Sequence, residues 1–144
     1  MNTETYQYLN QARYLNWRID ATIKESAELR AIATSISSPV FGEHVQETKS
    51  GEAPFVRIVE KILLMEDKIN SDIDCLFDLK EEIKEVINQL EDESEKMVLR
   101  YRYFSNMTWR EIGETMHASE RTVRRWHASA IDKIKLPEGH TIID

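Results

Sequence analysis

Residues 107–127 read "MTWREIGETMHASERTVRRWH", and this stretch decides the fold. Thr108 suits a helix N-cap, and Glu111 three residues later completes a capping box, since each side chain can satisfy the other residue's free backbone amide. The helix started there is expected to run to about Met116, with Ile112 and Met116 on its inner face. "HAS" interrupts it, Ser119 caps again, and a further helix is expected from Glu120 to about Lys135. Two capped helices joined by so short a turn predict a helix-turn-helix. Just upstream, Val98, Leu99, Tyr101, Tyr103 and Phe104 in "KMVLRYRYFSNM" predict a short amphipathic helix that stops near Ser105 and Asn106.

The last helix separates two kinds of residue. With Val123, Trp126, Ala130, Ile131 and Ile134 facing inward, Arg121, Thr122, Arg124, Arg125 and Ser129 are expected to face out. The N-terminal half of such a helix fits the DNA major groove, where arginine can pair with guanine or hold phosphate. Ser119 and the free amides at the helix start favour a phosphate oxygen. Arg110, Arg100, Arg102, Lys133 and Lys135 extend the basic footprint, so about five or six groups are expected to meet backbone phosphates. Trp109 and Trp126 fall on apolar positions and are read as packing residues rather than base-stacking platforms.

This basic end belongs to an acidic chain of 144 residues with net charge −7. The charge is divided: residues 1–95 carry a net −10, residues 96–135 a net +5, and the tail −2. The local excess, not the total, governs binding to a polyanion.

Towards the N-terminus, Tyr8, Ala12, Leu15, Ile19, Thr22, Ser26, Leu29, Ala33 and Ile36 recur at steps of four and three and predict a helix over about 3–37. Phe55, Ile58, Ile62, Met65, Ile69, Asp72, Leu76, Leu79, Ile83, Val86 and Leu90 predict a second over about 55–91, in which Ile73 compensates for the polar Asp72. The Pro, Gly and Ser residues of 38–54 predict a loop between them. The expected fold is therefore all-α: an acidic helical hairpin over 1–95 for dimerisation or partner contact, a helix-turn-helix domain over 96–136, and a tail over 137–144. A bare hairpin buries little apolar area, which favours a homodimer. The run "EDESE" at 91–95 marks the boundary, and its acids suit the first turn of the next helix.

Other chemistries find no support in the residues. The single Cys75 cannot form an internal disulfide, and neither its surroundings nor the scattered His44, His117, His127 and His140 have metal-ligand spacing. The acids Asp72, Asp74, Asp78, Glu81, Glu82 and Glu85 read as a solvated helix face. No catalytic constellation or phosphate loop occurs, so a protein without enzymatic activity, cofactor or metal is expected. Neither a targeting segment nor an apolar run of membrane-spanning length is read, and a cytoplasmic, nucleoid-associated location in a bacterial cell is expected.

The stretch "MVLRYRYFSNMTWREIGETMHASERTVRRWHASAIDKI" resembles region 4 of bacterial sigma-70-type factors, through its opening Val98, Leu99, Arg102 and Tyr103, its "TWREIGE" helix and its "SERTVRRW" recognition helix. With "YLNWRIDATIKESAELRAIAT" and "INSDIDCLFDLKEEI", the chain is also similar to small phage and prophage regulators related in plan to the ArpU and RinA late-gene activators, a DUF1492-like group. That resemblance implies a sequence-specific, double-stranded-DNA-binding activator of late transcription, with RNA polymerase as a further partner. It carries the DNA-reading role to Ser119, Glu120, Arg121, Thr122, Arg124, Arg125 and Ser129. Trp126 departs from the smaller residue usual in sigma factors, and no stretch resembles region 2, so complete sigma activity is not expected. The alternatives are a phage small terminase subunit, which joins the same DNA-binding motif to a helical oligomerisation region, and an adaptor whose arginine face binds acidic protein.

Overall fold

The computed structural model describes residues 2–36 and 48–143. Five α-helices follow in order: α1 Thr3–Ile36, α2 Thr48–Ile87, α3 Glu93–Tyr103, α4 Trp109–Met116 and α5 Glu120–Lys133. The protein is all-α, with a long helical hairpin, α1 and α2, ahead of three short helices. No helix among the described residues is long and apolar enough to cross a membrane.

The second helix starts seven residues before the expected Phe55. Pro54 and Gly51 were grounds for a loop, yet both lie inside α2. A proline near the N-terminal end of a helix removes a single backbone bond to the preceding turn, which a helix of this length can absorb. The rest of the expected loop, 38–47, lies outside the described residues. At its other end α2 stops at Ile87 rather than near residue 91, because Asp92 already caps α3 by accepting from the Glu95 amide at 3.2 Å.

The chain divides into two compact units: residues 17–74, and residues 1–16 with 75–144. In the first, α1 and α2 run antiparallel, as the ion pairs Arg18–Asp72 and Arg30–Glu66 require. Ile19, Ser26, Ala33 and Ile62 are buried along this seam, while Leu29, Phe55, Ile58, Met65 and Ile69 are half-buried. Asp72 needs no apolar substitute. It is buried itself, held by two Arg18 hydrogen bonds of 2.9 and 3.1 Å, and Ile73 is exposed instead. A bidentate guanidinium supplies both the opposite charge and the donors that a buried carboxylate must have.

In the second unit, Tyr8, Leu9, Ala12 and Leu15 are buried, as are Leu79, Ile83, Val86, Ile87, Leu99 and Tyr103. The Tyr8 hydroxyl donates to Glu82 Oε2 at 2.7 Å, and burial with this carboxylate pushes the phenol pKa well up. Arg13 donates to the carbonyl of Arg102 at 2.8 Å, tying the N-terminal turns of α1 to the end of α3. The compact unit that holds α3, α4 and α5 thus extends beyond the 96–136 segment drawn from the sequence.

Candidate nucleic-acid interface

The three short helices meet on Val98, Ile112 and Val123, one from each, all fully buried. Burying such side chains contributes about 1.5–3 kcal/mol apiece. Tyr101, Met107, Trp109, Met116, Ala118 and Trp126 pack around them. Both tryptophans are therefore packing residues in part; the rings of Trp109 and His127 also meet in a T-shaped pair, with centroids 4.7 Å apart.

Local hydrogen bonds define where α4 and α5 begin. Thr108 Oγ1 accepts from the Glu111 amide at 3.1 Å, and Glu111 Oε1 accepts from the Thr108 amide at 3.4 Å, closing the capping box. His117 ends α4 in the left-handed region, φ 54°, which lets the Ala118 amide donate back to the Gly113 carbonyl at 2.9 Å. The turn passes so near α4 that a Cβ on Gly113 would lie 2.7 Å from the Ala118 carbonyl oxygen. Ser119 Oγ then accepts from the Thr122 amide at 3.2 Å and starts α5. Its hydroxyl also donates to Thr122 Oγ1 at 3.0 Å, which directs the Thr122 hydroxyl proton elsewhere.

Arg121, Arg124 and Arg125 stand at i, i+3 and i+4 on α5 and are all exposed. Ser119 and Glu120 are exposed beside them, and Thr122 is half-buried. The Arg124 guanidinium lies 5.4 Å from the centre of the Trp109 ring, which gives this long side chain a resting position without burying it. Arg110 is exposed on α4 and paired with Glu114 across one turn at 3.3 Å. These residues lie around the start of α5, where Arg110, Ser119 and Glu120 line one depression between α4 and α5.

Three residues have partners in the folded chain that the sequence does not reveal. Ser129 is half-buried rather than exposed: it donates to Glu95 Oε1 at 2.7 Å, since four residues slightly exceed one helical turn and carry it from the Arg125 row towards that of Trp126. Lys133 reaches the same oxygen at 2.9 Å. Arg102 packs its guanidinium over Trp109 at 4.1 Å and donates to the Met107 carbonyl at 3.0 Å; burial holds its pKa below the usual arginine value. Of the other basic residues, Arg100 donates to Asn88 and Lys135 is exposed.

Glu95 and His127 are contributions that the sequence reading missed. Glu95 is buried at the start of α3, and only one of its carboxylate oxygens is engaged. Its place three and four residues before Val98 and Leu99, on the same helix face, is the available signal. His127 is buried against Tyr103 and Trp109, and it stands four residues after Val123 and four before Ile131.

The chain belongs to the family described as "Protein of unknown function (DUF722)", which matches residues 2–136. The chain is also 39% identical over 87 residues, 55% of its length, to the RNA polymerase sigma factor RpoD of Helicobacter pylori, in strains 26695 and J99 alike. It spans 13% of the length of these curated relatives. No solved structure matches it. The matched part of the chain is thus similar to a stretch of an RNA polymerase sigma factor.

Proposed function

We propose that the protein is a non-enzymatic, sequence-specific binder of double-stranded DNA that acts at a promoter, as a late-gene activator of a phage or prophage. The single observation that carries the reading is the exposed arginine face of α5, Arg121, Arg124 and Arg125, on a helix whose start is fixed by the Ser119 cap. A helix held in this way can present guanidinium groups to base edges without first being ordered, and a good arginine–guanine pair is worth about 1–3 kcal/mol of discrimination. Arg110, the Thr122 hydroxyl and the free amides of the first turn of α5 suit backbone phosphates on either side. The sigma-factor similarity makes RNA polymerase the partner to test alongside DNA.

Footprinting on the DNA of the protein's own genetic element, with and without RNA polymerase, tests both parts. A discrete protected site is expected, extended or sharpened by polymerase. The absence of any protected site at low salt would overturn DNA reading. A site that polymerase leaves unchanged would remove recruitment and retain DNA binding.

A further inference from the structure

α2 carries a second apolar line besides the one buried against α1. Val56, Leu63 and Asn70 recur every seven residues, and Val59, Glu66 and Ile73 follow each by three, so all six share one side of the helix. Val56 is 50% exposed, Leu63 56% and Ile73 45%. Single exposed apolar residues are ordinary on a surface, but a line with heptad spacing is what a helix presents to another helix. Glu66 does not break it, since Arg30 neutralises its charge. A single asparagine among apolar neighbours is a known means of setting register in such a pairing, and Asn70 occupies that position.

The charges flanking the line determine what fits. Glu60, Asp67 and Asp74, again seven apart and all exposed, border it along one side. Arg57, Lys61 and Lys68 fall on the side of α2 away from it. Pairing of this face with a second copy would set acidic row against acidic row if antiparallel. If parallel, the acids would meet Ile62 and Ile69, which the first seam already occupies. Neither arrangement sets a cation of α2 against the acids, and Arg30, the cation of α1 beside this face, is already paired with Glu66.

We propose that the face of α2 from Val56 to Ile73 is a docking surface for an amphipathic helix of another protein, whose apolar stripe is bordered by lysines or arginines that pair with Glu60, Asp67 and Asp74. The line supplies the contact area and the acidic row selects the partner, in the way that charges beside a coiled-coil seam set partner choice. This assignment is independent of the arginine face of α5.

The test uses the full chain and two fluorescent synthetic helices of about three heptads, each with leucine at the seam and either lysine or glutamate at the flanks. In fluorescence anisotropy at moderate salt, the lysine helix is expected to bind and the glutamate helix not. Leu63→Ser combined with Ile73→Ser should weaken binding by about tenfold or more, because two apolar side chains leave the contact. Glu60→Lys, Asp67→Lys and Asp74→Lys together should exchange the preference to the glutamate helix. All five positions accept these changes on an exposed surface, and unchanged helicity and DNA affinity separate a docking defect from a folding or DNA-reading one. Binding of the lysine helix that survives the serine substitutions, or a preference that the charge exchange leaves in place, would reduce the effect to general attraction and overturn the proposal. So would a self-associated wild-type chain that Leu63→Ser dissociates in sedimentation velocity, since a second copy would then be the occupant.

Discussion

The hydroxyl of Tyr103 on α3 and Nε2 of His127 on α5 lie 2.7 Å apart, with both side chains buried. The rings also stack, and together they fasten the first and last of the three short helices. Burial, with the nearby Arg102 charge adding to it, lowers the His127 pKa from 6.5 to about 4. Above about pH 6.5 the imidazole is neutral in both the folded and unfolded chain. Below that the unfolded chain takes up a proton that the folded one refuses, so stability falls with pH and levels off only below about 4. The difference corresponds to about 3 kcal/mol across that window. Urea denaturation at several pH values should show this loss in the wild type, and His127→Gln should remove that part of the slope. Equal pH dependence in the two proteins would falsify the assignment.

Ser129 supplies a prediction that separates packing from DNA reading. Its hydroxyl donates to the buried Glu95, and hydrogen bonds to charged groups are worth about 1.5–3 kcal/mol. Ser129→Ala should therefore lower the unfolding midpoint while the folded protein retains its affinity for operator DNA. Arg125→Ala should do the reverse, with helicity and melting kept and DNA binding weakened. Melting curves and DNA titrations on the same samples check both. Loss of DNA affinity in the fully folded serine variant would return Ser129 to the interface.

Gly113→Ala tests the close passage of the turn past α4. Within a helix, replacing glycine by alanine ordinarily gains about 1 kcal/mol. Here the new Cβ would lie 2.7 Å from the Ala118 carbonyl oxygen, a backbone atom that cannot swing away, and such overpacking costs about 1–3 kcal/mol. The clash exceeds the propensity gain, so a lower melting temperature is expected. A rise would mean that the turn yields without cost.

What the sequence made legible, and what it did not, follows from the range of the interactions. Thr108, Glu111 and Ser119 announced two helix starts because a cap is a bond to a backbone amide three residues away. The arginine face of α5 was legible for the same reason, one helical period being enough to separate Arg121, Arg124 and Arg125 from Val123. Asp72 was misjudged because its partner, Arg18, is 54 residues distant, and no local pattern distinguishes a paired buried acid from a seam defect. Arg13 reaching the Arg102 carbonyl, 89 residues on, is the same case on a larger scale, and it ties the start of α1 to the helix-turn-helix unit. Ser129 failed differently: its spacing left it between the two faces, and only the position of Glu95 decides which way it turns.

The number of phosphate contacts can be read from salt dependence, and the structure lowers the number expected from sequence. The basic residues around the last helix lead to an expectation of about five or six contacts, and hence a slope of log affinity against log salt near −5. Arg102 is packed on Trp109 and spends a donor on the Met107 carbonyl, while Lys133 is held by Glu95. Arg110, Arg121, Arg124 and Arg125 remain as exposed arginines around the start of α5, and about four contacts give a slope of about −3.6. Replacing one of them by alanine should make the slope about 0.9 shallower if it holds phosphate, and leave it nearly unchanged if it reads a base. Titrations of operator DNA over a range of salt concentrations, repeated for Arg110→Ala, Arg121→Ala, Arg124→Ala and Arg125→Ala, therefore sort these arginines into the two roles. A wild-type slope near −5 that Lys133→Gln brings to about −4 would show instead that DNA draws Lys133 away from Glu95.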